Sequence, residues 1–374
     1  MSGLRKEKLL IFQPKGPTAE WLARVQAHHP GLEILYENSA LPDGSIKPYE
    51  ELKPEVRNGV TLLSTYIPPP AQFLKDVRFV QLPSAGVDKW LEHETYKNND
   101  VVFCTGNGCH PPQIAEWVIG SWLSFQHHFA RYHEQMKIGY WEPMFKSTVK
   151  DSAGARMSVD PLPLPFDNNA NPQYRGILGY GAIGRQTARV ASALGMEVYA
   201  YTRSPRTTPE ARKDDSYCVP GTGDPDGLIP TKWFHGTSVD DINNFLDQDL
   251  DILVLSLPLT SETHGLISYE QFQILSKKKT FLSSVARGES INTDALMQAL
   301  EKGQIVGAAI DGADPEPLPS DHPLWKAPNL LITPHVSWQT HRTWERVLAI
   351  LEINLEKLSL GQRPINSANR VLHY

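Results

Sequence analysis

The sequence predicts an α/β protein whose strands form parallel sheets, and three observations support this fold class. Short apolar segments alternate with amphipathic segments along most of the 374 residues. This order is expected when helices on the faces of a sheet connect its strands. The hydrophobic fraction is 40% and the charged fraction 21%, which fits a globular protein with a substantial core. At about 150 residues per domain, the length indicates two or three domains.

The charge balance and the cysteines exclude several classes of protein. Lys and Arg number 36 against 42 Asp and Glu, a net charge of −6, so we expect neither a nucleic acid nor a membrane as partner. The sequence contains no run of about 18 apolar residues, the length that a membrane helix needs. The apolar run at 9–12 is too short for a signal peptide. The three cysteines, Cys104, Cys109 and Cys218, form no disulfide pattern. They favour a reducing compartment, so we predict a cytoplasmic protein.

The first third of the chain predicts a sheet followed by a buried helix. Residues 18–25 form the first predicted helix, in which Trp21, Leu22 and Val25 share a face. The strand–helix–strand order around it implies parallel strands. Apolar side chains cover much of the surface of the next predicted helix, over residues 113–132, so that helix is expected to be buried. The predicted strands of this part span residues 8–12, 32–36, 59–63, 79–82 and 101–104.

The rest of the chain returns to alternation after a polar, Pro-rich loop over residues 142–172. A second long loop lies near residues 220–227. The last helix is predicted over residues 343–360, with an apolar stripe that packs on another domain. The predicted strands span residues 175–178, 198–201, 252–257, 280–283, 305–310 and 330–333.

A glycine motif, G-x-G-x-x-G, connects the strand at 175–178 to the helix that follows. Its glycines are Gly179, Gly181 and Gly184. Glycines at this spacing let the backbone turn tightly and approach a pyrophosphate, which lies at the helix N-terminus. A role in helix packing alone is the simpler alternative. The complete strand–helix–strand unit favours dinucleotide binding.

The end of the next strand indicates which dinucleotide binds. Sites for NAD usually carry an acidic residue there, which accepts hydrogen bonds from the ribose. Here the residues are Thr202, Arg203, Ser204 and, after a proline, Arg206. Guanidinium groups bind a 2′-phosphate well and a carboxylate repels it, so NADPH is favoured over NADH. The alternative is that both arginines are solvated loop residues.

Three polar residues follow later strands, each at or beyond the strand's C-terminal end. They are Arg287, Glu316 and His335. Ligands of open α/β sheets bind at this edge. Each residue alone is more often structural, but three at one edge, downstream of a dinucleotide motif, predict a reaction site.

These residues and their neighbours resemble the D-isomer-specific 2-hydroxyacid dehydrogenase family, and most closely its glyoxylate/hydroxypyruvate reductase-type members. The resemblance rests on residues 176–184, 257–263, 286–288, 311, 316–319, 323–325 and 329–335, and more weakly on 84–88 and 115–116. It implies two Rossmann-like domains with the active site in the cleft between them. A doubly wound dinucleotide-binding domain, residues 109–335, is inserted in a discontinuous flavodoxin-like substrate domain, residues 1–108 and 336–374.

The resemblance also implies an activity, the reduction of a 2-oxo acid to a D-2-hydroxy acid with NAD(P)H, in a homodimer. Arg287 matches the residue that binds the substrate carboxylate, and His335 matches the general acid. Glu316 matches the carboxylate that favours the protonated imidazole. The backbone of Ala85, Gly86 and Val87 matches a loop that binds the substrate carboxylate. The implied cofactor-binding residues are Gly179, Tyr180, Gly181, Ala182, Ile183, Gly184, Thr202, Arg203, Ser204, Arg206, Leu257, Pro258, Thr263, Val285, Ala286, Asp311 and His335.

Departures from the family pattern concern substrate access and cofactor choice. Residues 142–172 and 219–236 are longer than usual, Gly312 and Ala313 replace a bulkier pair, and Thr202 stands where many members carry Asp. No serine-hydrolase motif occurs, and the cysteine and histidine spacing disfavours a metal site. Glu316 disfavours the formate dehydrogenase branch, which carries Gln there. A non-catalytic, dinucleotide-sensing binding protein resembling corepressors of this fold stays open as the alternative.

Overall fold

The computed structural model describes residues 4–144, 146, 151–152 and 174–370. The chain separates into two compact units. The first unit holds the residues up to His110, Ser216–Val219 and the residues from Thr340 on, and the second holds Pro111–Asp215 and Pro220–Gln339. Ser216–Val219 fall inside the predicted 109–335 segment but belong to the first unit.

The described residues alternate between strands and helices. The strands are β1 Lys8–Gln13, β2 Glu33–Asn38, β3 Leu62–Thr65, β4 Phe79–Gln81, β5 Val102–Cys104, β6 Tyr174–Leu178, β7 Glu197–Thr202, β8 Lys232–His235, β9 Ile252–Leu255, β10 Phe281–Ser284, β11 Gly307–Ile310 and β12 Leu330–Ile332. The helices are α1 Ala19–His28, α2 Pro54–Arg57, α3 Glu94–Lys97, α4 Pro111–Gln126, α5 Phe129–Lys137, α6 Ala182–Ala193, α7 Pro209–Arg212, α8 Val239–Leu246, α9 Tyr269–Leu275, α10 Thr293–Glu301 and α11 Thr343–Ser359.

The first unit contains a parallel sheet with the strand order β2-β1-β3-β4-β5, the flavodoxin-like order. Its central strands read as continuous apolar runs because helices cover both faces of such a sheet. On one face, α1 buries Trp21 and Val25. The helix α11 packs Leu351 and Leu355 into the same cluster, beside Leu9 of β1. A C-terminal helix therefore completes the core of the N-terminal sheet.

The second unit contains a parallel sheet with the strand order β12-β11-β10-β9-β6-β7-β8. Its first strand, β6, lies between β9 and β7, and the chain reverses direction across the sheet at this point. Ligands of doubly wound sheets bind at such a switch point, outside the C-terminal ends of the strands. The α/β fold class with two parallel, doubly wound sheets is thus confirmed.

The structure corrects two predicted elements of the second unit. The predicted helix over 113–132 is two helices, α4 and α5, separated at His128, whose φ of +56° is left-handed and interrupts helical hydrogen bonding. The long loop predicted within 219–236 contains the edge strand β8. Most of the predicted 142–172 loop lies outside the described residues. Within the described residues, none of the helices has the length and apolar character needed to cross a membrane.

Candidate functional site

The glycine motif forms a tight turn between β6 and α6. Gly179 has a φ of +97°, and a Cβ there would lie 2.8 Å from the carbonyl oxygen of Ser256. A Cβ on Gly184 would lie 2.5 Å from the Gly179 carbonyl oxygen. Neither position tolerates a side chain, so the two glycines let the turn and helix α6 pack closely against the end of the sheet.

The middle glycine, Gly181, has a different environment. A Cβ built on Gly181 meets no atom within 4 Å, so this side of the turn is open. Gly181 is also the N-cap of α6, and no side chain caps the helix there. The first turn includes Ala182 and Ile183, and its N–H groups and the helix dipole favour an anion. The residues present therefore fit the pyrophosphate of a dinucleotide.

The second residue of the motif, Tyr180, is anchored by a loop far along the sequence. Its hydroxyl donates to Oδ2 of Asp224 at 2.8 Å, and its ring packs edge-on against Trp233 with centroids 5.1 Å apart. Asp224 also accepts the backbone N–H groups of Leu228 and Ile229. Burial, followed by the Asp224 carboxylate, raises the pKa of Tyr180 well above its usual range. The sequence alone does not indicate Asp224, which lies 44 residues from Tyr180 in a segment interpreted as a loop.

The end of β7 carries the residues predicted to select the cofactor. The hydroxyl of Thr202 donates to the carbonyl oxygen of Ser204 at 2.8 Å. Arg203 binds the Glu262 carboxylate with Nη1–Oε2 at 2.5 Å and Nη2–Oε1 at 3.1 Å. Arg206 is half-buried and donates from Nη1 to the carbonyl oxygen of Ala211. The two arginines are thus held by different partners, and Glu262 is a charged neighbour that the sequence did not reveal.

Two further predicted cofactor segments follow β9 and β10. After β9, Thr263 accepts a hydrogen bond from the backbone N–H of Thr260 at 2.8 Å and donates to the Pro258 carbonyl oxygen at 2.7 Å. These bonds fix the turn that begins at Leu257. After β10, Val285 and Ala286 lead directly to Arg287.

Arg287 is positioned by the glycine that follows it. A Cβ on Gly288 would overlap the Ala313 carbonyl group. Only glycine allows the loop after β10 to come this close to the loop after β11. Arg287 itself is extended and half-buried, and its carbonyl oxygen accepts the N–H of Ser290. Its loop therefore lies against the segment that carries Asp311 and Glu316.

His335 and Glu316 form a pair. Nδ1 of His335 lies 2.8 Å from Oε1 of Glu316, and the two side chains are 35% and 46% exposed. A carboxylate accepts hydrogen bonds only, so Nδ1 carries a proton, and the second ring nitrogen, Nε2, faces away from this contact. Nearby, Gly312 leaves room for the Glu316 carboxylate, since a Cβ there would lie 3.4 Å from Oε2. The structure thus brings together two of the three predicted catalytic side chains.

Asp311 holds the chain around His335 in place. Its carboxylate is buried and accepts hydrogen bonds from the Thr333 hydroxyl at 2.5 Å and from the backbone N–H groups of Val336 and Ser337, each at 2.9 Å. His335 itself has a left-handed φ of +55°. A buried carboxylate with three donors fixes a turn firmly, so Asp311 fixes the backbone on both sides of His335.

The predicted substrate-binding loop, Ala85–Val87, belongs to the first unit and follows β4. The hydroxyl of Ser84 donates to the Gly86 carbonyl oxygen at 2.7 Å. The Val87 side chain is buried, and its carbonyl oxygen accepts the N–H of Trp90 at 2.7 Å. A Cβ on Gly86 would lie 2.6 Å from Oδ2 of Asp88. The loop is therefore a compact, internally bonded turn.

Within the second unit, the predicted residues follow β6, β7, β9, β10, β11 and β12, which are all parallel. Their loops consequently lie at one edge of the sheet. This edge combines an anion-binding turn, arginines and an acid–base pair, which suits a redox reaction of a small anionic substrate. The described residues contain no group of three or more His, Cys, Asp or Glu side chains that could hold a metal ion.

Comparison with known proteins identifies the family. The family model "D-isomer specific 2-hydroxyacid dehydrogenase, NAD binding domain" matches residues 119–220 and 229–337. The chain belongs to the D-isomer specific 2-hydroxyacid dehydrogenases. It is therefore an NAD(P)-dependent oxidoreductase, and the family resemblance seen in the sequence is confirmed.

Individual members of this dehydrogenase family are similar over much of the chain. A hydroxypyruvate reductase of Blautia hydrogenotrophica is 26% identical over 343 residues, which are 91% of this chain and 94% of that protein. A glyoxylate reductase of Aeropyrum pernix is 32% identical over 195 residues, 52% of this chain and 51% of the relative. The crystal structure of an NADPH-dependent glyoxylate/hydroxypyruvate reductase of Sinorhizobium meliloti, in complex with NADP and sulfate, has a TM-score of 0.69. It is 21% identical and covers 99% of this chain and 100% of its own, a likeness of fold.

Proposed function

We propose that this dehydrogenase reduces a 2-oxo acid similar to glyoxylate or hydroxypyruvate to the corresponding D-2-hydroxy acid, with NADPH as the favoured reductant. The observation that carries the proposal is the 2.8 Å contact between His335 Nδ1 and Glu316 Oε1 at the sheet edge of the dinucleotide fold. The names of two relatives, a hydroxypyruvate reductase and a glyoxylate reductase, support this substrate class.

His335 acts as the general acid in this proposal. Reduction converts the C2 carbonyl to an alcohol, so the carbonyl oxygen needs a proton as C2 gains a hydride, which bound NADPH supplies. The Glu316 carboxylate accepts the Nδ1 hydrogen and orients the ring, so Nε2 is the nitrogen that donates the proton. The imidazole ends the step neutral and regains its proton from solvent.

Arg287 binds the substrate carboxylate. Its guanidinium offers two parallel N–H donors, the geometry that a carboxylate accepts best, and it polarises the adjacent carbonyl. For the backbone N–H groups of Ala85, Gly86 and Val87, binding of a substrate carboxylate stays a prediction from the family resemblance. Gly288 supports this role because it keeps the Arg287 loop packed against Ala313.

Arg203 and Arg206 bind the 2′-phosphate of the cofactor, and Ser204 lies between them. The absence of an acidic residue at Thr202 supports NADPH, since a carboxylate at that position would repel the phosphate. Gly179–Gly184 would hold the pyrophosphate, and Asp311 would hold the nicotinamide carboxamide. The remaining proposed cofactor contacts are Leu257, Pro258, Thr263, Val285 and Ala286.

Three measurements test the proposal. A kcat/KM panel over glyoxylate, hydroxypyruvate, pyruvate and bulky 2-oxo acids, each with NADPH and NADH, should favour a small substrate and NADPH. The substitution His335→Ala should lower kcat by about 10²–10⁴-fold and leave NADPH affinity within about threefold, since His335 acts on the proton. The substitution Arg203→Asp should weaken the binding of NADPH and strengthen the binding of NADH. Absence of turnover with every 2-oxo acid would contradict the proposal and favour a non-catalytic nucleotide-binding protein.

We also propose that the protein is a homodimer. The segment from α5 to residue 144 exposes an unusual set of large apolar side chains, and Trp141 is 92% exposed. Apolar surface of this kind is typical of an interface. The set comprises Phe129, Met136, Ile138, Tyr140, Trp141 and Met144. Sedimentation velocity should give twice the chain mass, and Trp141→Ser with Met144→Ser should shift it toward the monomer.

A cytoplasmic location stays a prediction from the scarce cysteines.

A further inference from the structure

The guanidinium of Arg203 is already engaged by a carboxylate. Arg203 and Glu262 make two parallel contacts, Nη1–Oε2 at 2.5 Å and Nη2–Oε1 at 3.1 Å, and the side chains are 42% and 47% exposed. The two residues are 59 positions apart in the sequence. Such a pair uses one complete edge of the guanidinium, the edge that a phosphate would also prefer.

The fold places this carboxylate beside the nucleotide edge. Strand β6, which leads into the glycine turn, lies between β7 and β9. Arg203 directly follows β7, and Glu262 lies in the turn after β9. That turn is fixed by the bond from the Thr260 N–H to the Thr263 hydroxyl and by the bond from the Thr263 N–H to the Thr260 carbonyl oxygen. The Glu262 side chain takes no part in these bonds, so its charge is not needed to form the turn.

We propose that Glu262 is a specificity-determining residue that competes with the 2′-phosphate of NADPH for Arg203. The proposal rests on the proposed use of Arg203 for that phosphate. A 2′-phosphate carries close to two negative charges and only accepts hydrogen bonds, so it must displace or share the edge of Arg203 that Glu262 holds.

The competition acts on one cofactor only. NADH presents a 2′-hydroxyl, which is uncharged and can donate a hydrogen bond, so the Glu262 carboxylate does not repel it. The ion pair is exposed and consequently weak, and phosphate can compete with it. Glu262 therefore narrows the preference for NADPH over NADH without abolishing it, and the enzyme keeps use of both nucleotides.

The test compares four variants with the intact enzyme: Glu262→Gln, Arg203→Gln, the double variant, and Glu301→Gln as the control. Glu301 ends α10 in the same unit and is exposed, so its substitution makes the same change in charge elsewhere. Cofactor binding is followed by fluorescence titration with NADPH and NADH without substrate, and kcat/KM is measured in parallel. Thermal unfolding verifies that each variant is folded.

We expect Glu262→Gln to tighten NADPH binding by about three- to tenfold at low ionic strength and to leave NADH within about twofold. The gain should shrink at high salt, which screens an exposed charge. Arg203→Gln should weaken NADPH binding, and Glu262→Gln should have a much smaller effect in that background, since Arg203 is no longer there to be released. Glu301→Gln should match the wild type for both cofactors.

The outcomes separate this inference from the proposed function. If Glu262→Gln weakens NADPH binding, the carboxylate orients Arg203 for the phosphate, and the proposed competition is refuted. The competition is also refuted if Glu262→Gln leaves the affinity for NADPH unchanged or changes the affinities for both cofactors equally. In both cases the assignment of Arg203 to the 2′-phosphate stands as long as Arg203→Gln still weakens NADPH binding. If Arg203→Gln leaves the ratio of NADPH to NADH affinity unchanged, the assignment of Arg203 to the 2′-phosphate fails, and the competition fails with it.

Discussion

Replacing Tyr180 with phenylalanine removes one oxygen atom from a buried contact that anchors the glycine turn. The hydroxyl donates to Oδ2 of Asp224 at 2.8 Å. A tyrosine hydroxyl is protonated at neutral pH, and burial together with the Asp224 carboxylate raises the pKa of Tyr180 further. The phenylalanine ring preserves the contact with Trp233, so the substitution isolates the hydrogen bond.

The contacts of Asp224 set how much the free energy of unfolding should fall in Tyr180→Phe. A hydrogen bond to a charged acceptor contributes about 1.5–3 kcal/mol. Asp224 keeps two backbone donors, from Leu228 and Ile229, so we expect Tyr180→Phe to lower the free energy of unfolding by about 1.5–2 kcal/mol. Because the Tyr180 backbone forms part of the glycine turn, the affinity for NADPH should also fall severalfold.

A matched control is available in Tyr201→Phe. Both tyrosines are 4% exposed and lie in the second unit. The Tyr201 hydroxyl has no hydrogen-bond partner among the described residues. Its removal should therefore change stability by less than about 0.5 kcal/mol or increase it. Urea unfolding gives the comparison as a shift in midpoint at constant slope. Equal shifts for the two variants, or a cost for Tyr180→Phe below about 0.5 kcal/mol, would refute the reasoning.

Three further predictions concern other positions. Gly288→Ala should lower kcat/KM by about tenfold or more, because the new methyl group displaces the Arg287 loop; steady-state kinetics checks this, and a wild-type kcat/KM would contradict it. Burial lowers the pKa of His110 to about 4. The unfolded chain therefore binds the proton more readily below about pH 6.5, and the free energy of unfolding should fall by about 1.5 kcal/mol between pH 6.5 and 5. This loss of stability should be smaller in His110→Gln, and an equal or steeper loss in that variant would contradict the prediction. Asp311→Asn should lower kcat by about ten- to hundredfold, since an amide cannot accept all three donors around His335; wild-type kcat would contradict this.

The strands could be predicted from the sequence because each central strand is buried on both faces. Residues 252–255 and 281–284 are continuous apolar or small runs, and both are fully buried. The edge strand β8 was missed because its residues are only half-buried or exposed and lie near Pro- and Gly-rich chain. The break at His128 was missed because an isolated left-handed residue leaves the apolar pattern unchanged on both sides.

In the candidate site, too, some features could be predicted from the sequence and others could not. The glycine turn and the positions of Arg287, Glu316 and His335 are local in sequence or follow strand ends, so pattern and resemblance suffice to find them. The partners of Tyr180 and Arg203 lie 44 and 59 residues away. Long-range pairs of this kind depend on strand order and on the exact path of two turns, which a single sequence does not specify.

The discontinuous first unit has a consequence for synthesis on the ribosome. Residues up to His110 emerge early, but Leu351 and Leu355 of α11 complete their core, and Asn354 donates from Nδ2 to Oε1 of Gln81 at 2.9 Å. At about 5–20 residues per second, the nascent N-terminal sheet waits roughly ten to fifty seconds for that helix. The second unit can mature in the interval, whereas the apolar face of the first stays open to chaperones or to aggregation until α11 has been synthesised.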